Sequence, residues 1–426
     1  MGLELAEIFR QYGPAYCQKY ANQLLSSHRQ VMRAIEQCRT EALGGQVYTC
    51  PECGEVQYSY HSCRNRHCPK CQNDKAQEWL EAQQDMLLPV LYFMLTFTLP
   101  AALCEIVRSN QSLLYNLLFR ISAAAAQHLA KDPRFVGGQI GLVGILHTWG
   151  RDLAYHPHIH YLVPAGGLTT NTQTWLPARQ DFLLPVKALS KIFRGKFRQA
   201  LVKTTLFTQI PPKVWQQDWV VHCKLVGNGR TALKYLAPYV FRVAISNCRL
   251  IKLENGQVTF CYRATDTGEP KLCTLSAELF IHRFLQHVLH KGFVKVRYFG
   301  FYAHGCRKRL AALRQQLEQK YPGNLGSQKT YQSQSLLPLS FAVQVVASQC
   351  FSSAPFNLRG AAHHELFRLL APTFSLDAGF QSCAQALIRL CTRKLQANRD
   401  VAAFLACVGW LFGDTIYSNE QARRRF

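Results

Sequence analysis

The sequence predicts an α+β fold in which a largely antiparallel sheet is flanked by helices, with a small cysteine-rich module before it and a helical region after it. Between residues 90 and 300, short runs rich in β-branched and aromatic residues alternate with longer amphipathic runs. Asn228-Gly229 and Asn255-Gly256 are typical of the tight turns that join antiparallel strands. The 426 residues, 48% of them hydrophobic, can form more than one domain with its own core.

Four segments follow from these patterns. We expect a helical arm over 1–45, a cysteine-rich module over 46–80, the main domain over 86–304 and a basic, mostly helical region over 305–426. The uncharged run from Met86 to Cys104 is long enough to cross a bilayer, but its prolines and β-branched and aromatic residues favour a central, buried strand over 91–99. Another strand is expected over 242–253.

Charge and cysteine usage narrow the possible partners and compartment. Lysine and arginine number 49 against 25 for aspartate and glutamate, a formal net charge of +24 that is spread along the chain. Such an excess favours a polyanionic partner, nucleic acid before a membrane surface. The 17 cysteines are mostly unpatterned, and the N-terminus lacks a basic segment followed by an apolar one. We therefore expect reduced cysteines in an intracellular protein.

Two C-x-x-C pairs in the cysteine-rich module have the spacing of a structural zinc site. Each tight turn can place two thiolates on one ion, and a segment this short needs the metal to supply its folding free energy. Arg64 and Arg66 are expected to contact phosphate. A redox pair is the alternative. The expected zinc ligands are Cys50, Cys53, Cys68 and Cys71, with Cys63 and His67 as alternates.

A histidine cluster marks the candidate site of the main domain. Residues 143–149 and 155–163 have the pattern of two strands joined by a polar turn. If the turn is centred between residues 152 and 153, His147 lies directly opposite His158, and His160 shares the face of His158. Three imidazoles would then converge on one divalent metal ion. The alternative is a packing residue beside a solvated histidine patch.

Two tyrosines form the second candidate feature. On a helix predicted over 230–240, Tyr235 and Tyr239 are one turn apart and share a face. A phenol attacks weakly unless a metal polarises its target and cations stabilise its anion, roles open to Lys234 and Arg242. The alternative is an aromatic stripe that packs the helix on the sheet.

The histidines and tyrosines together suggest one reaction. A histidine-bound ion that grips a scissile phosphate would allow a tyrosine to form a DNA 5′-phosphotyrosine and release a 3′-hydroxyl. Rejoining would then need no ATP, and the chain contains no G-x-x-x-x-G-K-[ST] phosphate loop.

Six motifs occur together in this chain: Ser62-Cys-Arg-Asn-Arg-His-Cys-Pro-Lys-Cys71, His147-Thr-Trp-Gly150, His156-Pro-His-Ile-His160, Lys234-Tyr-Leu-Ala-Pro-Tyr239, Arg242-Val-Ala-Ile-Ser-Asn247 and Lys291-Gly-Phe293. With these motifs the sequence resembles the two-tyrosine HUH (His-hydrophobic-His) rolling-circle transposases of the insertion-sequence-91 type. The resemblance runs from the cysteine-rich module to about residue 304. Leu95-Thr-Phe-Thr-Leu99 also looks like the first strand motif of rolling-circle initiators.

The resemblance implies an HUH-endonuclease-like fold that cleaves and joins single-stranded DNA. It implies His158 and His160 as ligands of a catalytic Mg²⁺ or Mn²⁺, with Tyr235 and Tyr239 as nucleophiles, while His147 as the third ligand is inferred from strand pairing. Single-stranded or hairpin transposon ends would be the partner, and zinc the structural ion. Neither a membrane nor a nucleotide cofactor is expected, and the protein would act at the nucleoid in the bacterial cytoplasm.

This chain departs from the family pattern beside the tyrosines. The usual Tyr-Leu-x-Arg-Tyr-Thr-His-Arg run reads Tyr-Leu-Ala-Pro-Tyr-Val-Phe-Arg here. Pro238 is expected to disturb the helix, and Phe241 replaces a histidine. Either Tyr239 acts alone, or a kinked helix keeps both phenols in reach, or this copy is impaired. The alternative functions are a plasmid replication initiator with the same chemistry and a zinc-dependent DNA-binding protein with a relict active site.

Overall fold

The computed structural model describes residues 2–51, 53–169, 171, 174–241, 244–264 and 267–321. Its helices are α1 (Leu5–Lys19), α2 (Ser26–Gln37), α3 (Asn73–Asp85), α4 (Cys104–Ser109), α5 (Gln111–Ala130), α6 (Val186–Val202), α7 (Arg230–Phe241), α8 (Ala277–Leu285) and α9 (Arg307–Lys320). Its strands are β1 (Gly45–Thr49), β2 (Val56–Tyr60), β3 (Tyr92–Thr98), β4 (Leu142–Trp149), β5 (Tyr155–Pro164), β6 (Gly166–Leu168), β7 (Trp175–Pro177), β8 (Val221–Leu225), β9 (Leu250–Glu254), β10 (Gln257–Arg263), β11 (Pro270–Ser276) and β12 (Val296–Phe299).

The main sheet has five strands in the order β12-β4-β5-β3-β8, and every neighbouring pair is antiparallel. The α+β class with a largely antiparallel sheet is therefore confirmed. β5 is the middle strand, and β3 lies between β5 and β8, so the strand predicted over 91–99 is an interior one. Every residue of β3 is buried or half-buried, which explains its uncharged sequence.

Helices cover both faces of this sheet. On one face, Phe97, Leu146 and Ile159 form a core with Leu118 of α5 and Phe193 of α6. Because side chains alternate along a strand, Tyr92, Val143 and Leu162 point to the other face. There they pack with Leu233 of α7 and with the segment that follows α3. α7 is thereby placed against the centre of the sheet.

A second core joins the N-terminal helices to later parts of the chain. Phe9 of α1 and Ile35 of α2 pack with Phe260 of β10 and Phe284 of α8, and the rings of Phe9 and Phe284 meet edge to face at 5.5 Å. The same core contains buried Cys38 and the two cysteines of the second C-x-x-C pair. The helical arm is thus tied to the cysteine-rich module and to α8.

The prediction of a strand over 242–253 is wrong for most of that range. Residues 242–243 lie outside the described part, Asn247–Arg249 forms a 3-10 turn, and β9 begins only at Leu250. Ala244 has a φ of 44°, which an extended strand cannot accommodate. The side chain of Asn247 also accepts a hydrogen bond from the Leu5 N–H at 3.3 Å, which holds the turn against α1.

The last expected segment is described only in part. Its basic helix is present as α9, whereas residues 322–426, predicted to be mostly helical, lie outside the described residues. Among the residues described, the helices are all too short or too polar to cross a bilayer.

Candidate active site and metal centres

Three histidines converge on one face of the main sheet. β4 and β5 pair with His147 opposite His158 and Ile145 opposite His160, so the register predicted from the turn is confirmed. The ring centroid of His147 lies 5.3 Å from that of His158 and 4.6 Å from that of His160. The ring centroids of His158 and His160 are 4.8 Å apart. One ring nitrogen of each residue lies within 4.8 Å of the other two. This set of donors fits a single divalent ion with open coordination positions.

Hydrogen bonds orient two of these rings. Nδ1 of His158 lies 2.6 Å from the His156 carbonyl oxygen, which can only accept, so Nδ1 carries the proton and Nε2 keeps its lone pair. Nδ1 of His160 lies 2.9 Å from the Thr96 hydroxyl on β3, which can accept in the same way. Partners of this kind fix the tautomer in which Nε2 binds metal.

The histidine cluster is held in its neutral form. Burial is the main cause that lowers the pKa of His158 to about 4 and that of His160 to about 3, and it also lowers the pKa of His147 well below its usual value. Only a neutral imidazole has the lone pair that a metal needs. At neutral pH the site therefore offers three ligands without first releasing protons.

The turn between β4 and β5 is anchored by α8 and the segment after it. His287 Nε2 donates to the Leu153 carbonyl at 3.1 Å, and Arg283 donates to the Asp152 carbonyl at 3.0 Å. Leu153 itself has a φ of 65°, a conformation that a leucine seldom adopts. Because the turn sets the strand register, these contacts help keep His147 opposite His158.

A buried aromatic residue and a buried cation lie behind the cluster. The indole ring of Trp149 stacks on His147 with centroids 5.5 Å apart and planes 7° from parallel. Lys295 places its ammonium nitrogen 4.8 Å from the Trp149 ring centre, and burial lowers the pKa of Lys295 to about 7. Lys295 carries no spacing signal toward the histidines, so the sequence did not link it to this site.

The tyrosine helix lies on the same sheet face as the histidines. Val143 and Leu162 pack with Leu233 of α7, and each lies an even number of residues from a histidine of the cluster on its own strand. α7 continues through Pro238 to Phe241. Tyr235 is 50% exposed, and Lys234 is exposed beside it. The side chain of Tyr239 and all of Arg242 fall outside the described part of the chain.

The cysteines that come together differ from the expected set. Cys38, Cys63, Cys68 and Cys71 have their Sγ atoms within 4.8 Å of one another. Cys71 Sγ is 3.5 Å from that of Cys38 and 3.7 Å from that of Cys63. Four thiolates at this separation suit a tetrahedral zinc ion. The second C-x-x-C pair and the alternate Cys63 thus belong to the cluster, whereas Cys38 was not foreseen.

The geometry of the β1–β2 hairpin explains why Cys50 and Cys53 are absent from this cluster. Both cysteines lie in the loop that joins β1 to β2, while Cys38 and Cys63 flank the open end of the hairpin. A strand of five residues spans roughly 16 Å at about 3.3 Å per residue. The expected ligand set required the two C-x-x-C pairs to meet, and the hairpin holds them apart. Cys38 directly follows the observed α2, whereas the sequence had placed it within the helical arm, and it carries no spacing signal toward the C-x-x-C pairs.

His67, the alternate zinc ligand, forms hydrogen bonds outside the cysteine cluster. Its Nε2 accepts the Leu289 N–H at 3.2 Å, and its Nδ1 lies 3.1 Å from the Asn65 side-chain oxygen. The guanidinium of Arg66, expected to contact phosphate, donates to the Phe293 carbonyl at 2.9 Å. This part of the module therefore docks on residues 289–293, directly before Lys295.

Comparison with known proteins establishes the class. A family model described as a putative transposase matches residues 141–309, which contain the histidine cluster and α7. A model described as a transposase zinc-binding domain matches residues 8–99, which contain all four clustered cysteines. The protein is a transposase, and transposases of this kind are DNA-cleaving enzymes.

Similarity to individual proteins places it within that class. The chain is 40% identical to the putative transposase y4qJ of Sinorhizobium fredii over 342 residues, which cover 75% of this chain and 86% of the relative. It is 31% identical to the transposase for insertion sequence element IS801 of Pseudomonas savastanoi pv. phaseolicola over 304 residues, 67% of this chain and 73% of the relative. The chain belongs to the insertion-sequence-91 family of transposases, as its motifs suggested. No solved structure matches it significantly.

Proposed function

We propose that this transposase nicks and rejoins single-stranded DNA through a 5′-phosphotyrosine intermediate, with His147, His158 and His160 as ligands of a catalytic Mg²⁺ or Mn²⁺. The observation that carries the proposal is the convergence of three neutral imidazoles, two of them oriented by hydrogen bonds, on the sheet face that α7 covers. A bound divalent ion would supply Lewis-acid polarisation of the scissile phosphate. The single-strand or hairpin ends of the element are the proposed substrate.

The residues of α7 would perform the bond exchange. The phenol oxygen of Tyr235 or Tyr239 bonds to phosphorus as the bond to the 3′ oxygen breaks, and that oxygen takes up a proton and leaves as a hydroxyl. The phenol proton passes to solvent, to which the half-exposed ring of Tyr235 has access. Lys234, which precedes Tyr235 in the sequence, and Arg230 at the start of α7 are both exposed and would offset the charge on the phenolate and the phosphate. One phosphodiester bond replaces another, so the reaction requires no nucleotide cofactor.

We assign the structural zinc to Cys38, Cys63, Cys68 and Cys71. The zinc-binding family match and the clustering of these thiols both support this assignment. Hydrogen bonding from the Cys68 thiol lowers the pKa of Cys63 to about 5, which favours the thiolate form that zinc binds. The ion would hold the docking residues Asn65, Arg66 and His67 in place. The catalytic domain would then comprise residues 86–304.

The test is covalent capture of DNA. The protein is incubated with single-stranded element ends in Mg²⁺ or Mn²⁺, and denaturing electrophoresis with mass spectrometry of the adduct peptide identifies the tyrosine. We expect an adduct on α7 that falls by at least about 100-fold in His158→Ala and His160→Ala. His156→Ala is the matched control, because its exposed ring is outside the cluster and its carbonyl is retained.

Two results would contradict the proposal. One is an adduct that persists at full yield in His158→Ala and His160→Ala. The other is normal binding of hairpin DNA with no adduct in either metal, unchanged when both tyrosines are replaced by phenylalanine. The second result would instead indicate a zinc-dependent DNA-binding protein with a relict active site, the alternative suggested by the departures from the family pattern at Pro238 and Phe241.

A further inference from the structure

The β1–β2 hairpin presents an apolar face to solvent. The strands pair with Val47 opposite Tyr58, and alternation places Val47, Val56, Tyr58 and Tyr60 on one face. These side chains are between 39% and 60% exposed. Single exposed apolar residues are normal, but four on one face of a two-stranded sheet mark a surface that binds something.

The two tyrosines on this face form an aromatic platform. The rings of Tyr58 and Tyr60 are stacked, with centroids 6.1 Å apart and planes 14° from parallel. Tyr60 pairs with Gly45, which has no side chain to cover the ring. Flat rings with open faces are what nucleobases stack upon, without preference for sequence.

Cations border the platform. Tyr58 and Tyr60 line a groove of about 580 Å³ together with Arg39, His61 and Arg64, and no carboxylate is among the described residues that line it. Both arginines are exposed. An aromatic platform between cations fits a single nucleic-acid strand, whose bases stack while its phosphates are neutralised.

The cysteine cluster lies beside the backbone of both arginines. Arg39 directly follows Cys38, and Arg64 directly follows Cys63, two of the four clustered cysteines. The Arg39 N–H also donates to the His61 carbonyl at 3.0 Å, which closes the base of the hairpin. The groove is therefore part of a fixed frame, and binding there would require little ordering of the protein.

We propose that this hairpin binds unpaired bases of the DNA strand on Tyr58 and Tyr60, with Arg39 and Arg64 on the flanking phosphates. The inference rests on the proposed function and adds to it a second contact with the DNA strand, a base-stacking surface on residues outside the histidine cluster and α7. A second copy of the chain is a poorer occupant, because it would bring two pairs of arginines together.

The test compares two faces of the same hairpin in the full-length, zinc-loaded protein. Fluorescence anisotropy, without Mg²⁺ or Mn²⁺, measures binding of a single strand, its duplex and a strand of equal length with abasic sites. We expect the double variant Tyr58→Ala, Tyr60→Ala to weaken single-strand binding by about 10- to 100-fold. Abasic-strand binding should not change. Tyr48→Ala is the matched control, since Tyr48 is 54% exposed on the opposite face.

Several outcomes would overturn the proposal. They are an equal loss in Tyr48→Ala, an equal loss with the abasic strand, or no loss in the double variant. A change of oligomeric state in light scattering would assign the face to a second copy. A lower melting temperature of the double variant with unchanged DNA binding would show that the apolar face packs against another segment of this chain. Because binding is measured without catalytic metal, failure of adduct formation would contradict the proposed chemistry and leave this inference intact.

Discussion

At the scale of single residues, the hydroxyl of Thr96 is a positioning group for the proposed metal centre. Thr96 lies opposite His160 in the β3–β5 pairing and 2.9 Å from its Nδ1. His158 takes its equivalent contact from a backbone carbonyl, which substitution cannot remove. Thr96 is therefore the side chain through which the orientation of the imidazoles can be tested.

Thr96→Val keeps the shape of the side chain and removes the hydrogen bond. We expect affinity for Mn²⁺, measured by calorimetry, to fall by about 10- to 100-fold, because His160 loses the partner that fixes its tautomer and ring angle. Thr98→Val is the control, since Thr98 points to the same face opposite His158, whose Nδ1 is held elsewhere. An equal loss in both variants would show that the effect comes from strand packing.

At the scale of elements, local pairing was predictable and distant assembly was not. The β4–β5 hairpin is fixed by its own turn and by alternation of side chains, so the sequence was enough to place His147 opposite His158. The cysteine cluster joins residues on either side of another hairpin, with Cys38 separated from Cys63 by 25 positions. The C-x-x-C spacing predicts each tight turn. It does not predict how far apart a strand pair between two such turns will place them.

The position of Tyr60 shows the same limit. Alternation along β2 predicts which residues share a face, but not that the face is left exposed. Exposure depends on where the hairpin stands relative to α2 and the cysteine cluster, which is a tertiary fact. The contact of His67 with Leu289, 222 positions away, is equally invisible to spacing.

Cysteine substitutions test the proposed zinc ligands. We expect about one equivalent of zinc per chain in the wild type. Cys38→Ser should lose most of it, because a tetrahedral site with three thiolates binds the ion far more weakly. Cys53→Ser should keep its zinc, since Cys53 is exposed in the loop of the hairpin. Zinc content is measured by plasma emission after gel filtration. Zinc lost from Cys53→Ser and retained in Cys38→Ser would restore the ligand set expected from spacing.

At the scale of the whole described molecule, α8 and the residues after it connect the zinc-binding module to the histidine site. Phe284 packs on Phe9 of α1. The Leu289 N–H donates to His67 of the module, and the Phe293 carbonyl accepts from Arg66. Between them, His287 holds the turn that sets the β4–β5 register. Zinc binding and the geometry of the histidine cluster are thus supported by one continuous segment.

Acid should weaken this connection through His287. Burial lowers the pKa of His287 to about 4 from the 6.5 of an unfolded chain. Between these values the unfolded state binds a proton that the folded state does not, so the stabilising contribution is complete above pH 6.5 and is lost as pH falls to 4. The loss from this group is at most about 3 kcal/mol, at about 1.4 kcal/mol per pKa unit.

Urea unfolding of wild type and His287→Gln between pH 7 and pH 4 isolates the contribution of His287, because the histidine cluster and the thiolates of the cysteine cluster titrate in both proteins. The variant should be less stable at pH 7, where the Leu153 carbonyl loses its imidazole donor, and should lose less stability on acidification. Exposed His128→Gln is the control and should follow the wild-type profile. Parallel pH profiles for wild type and His287→Gln would mean that His287 binds a proton as readily in the folded state as in the unfolded state. That outcome would contradict the lowered pKa of His287, which is buried between Leu153 and Thr148.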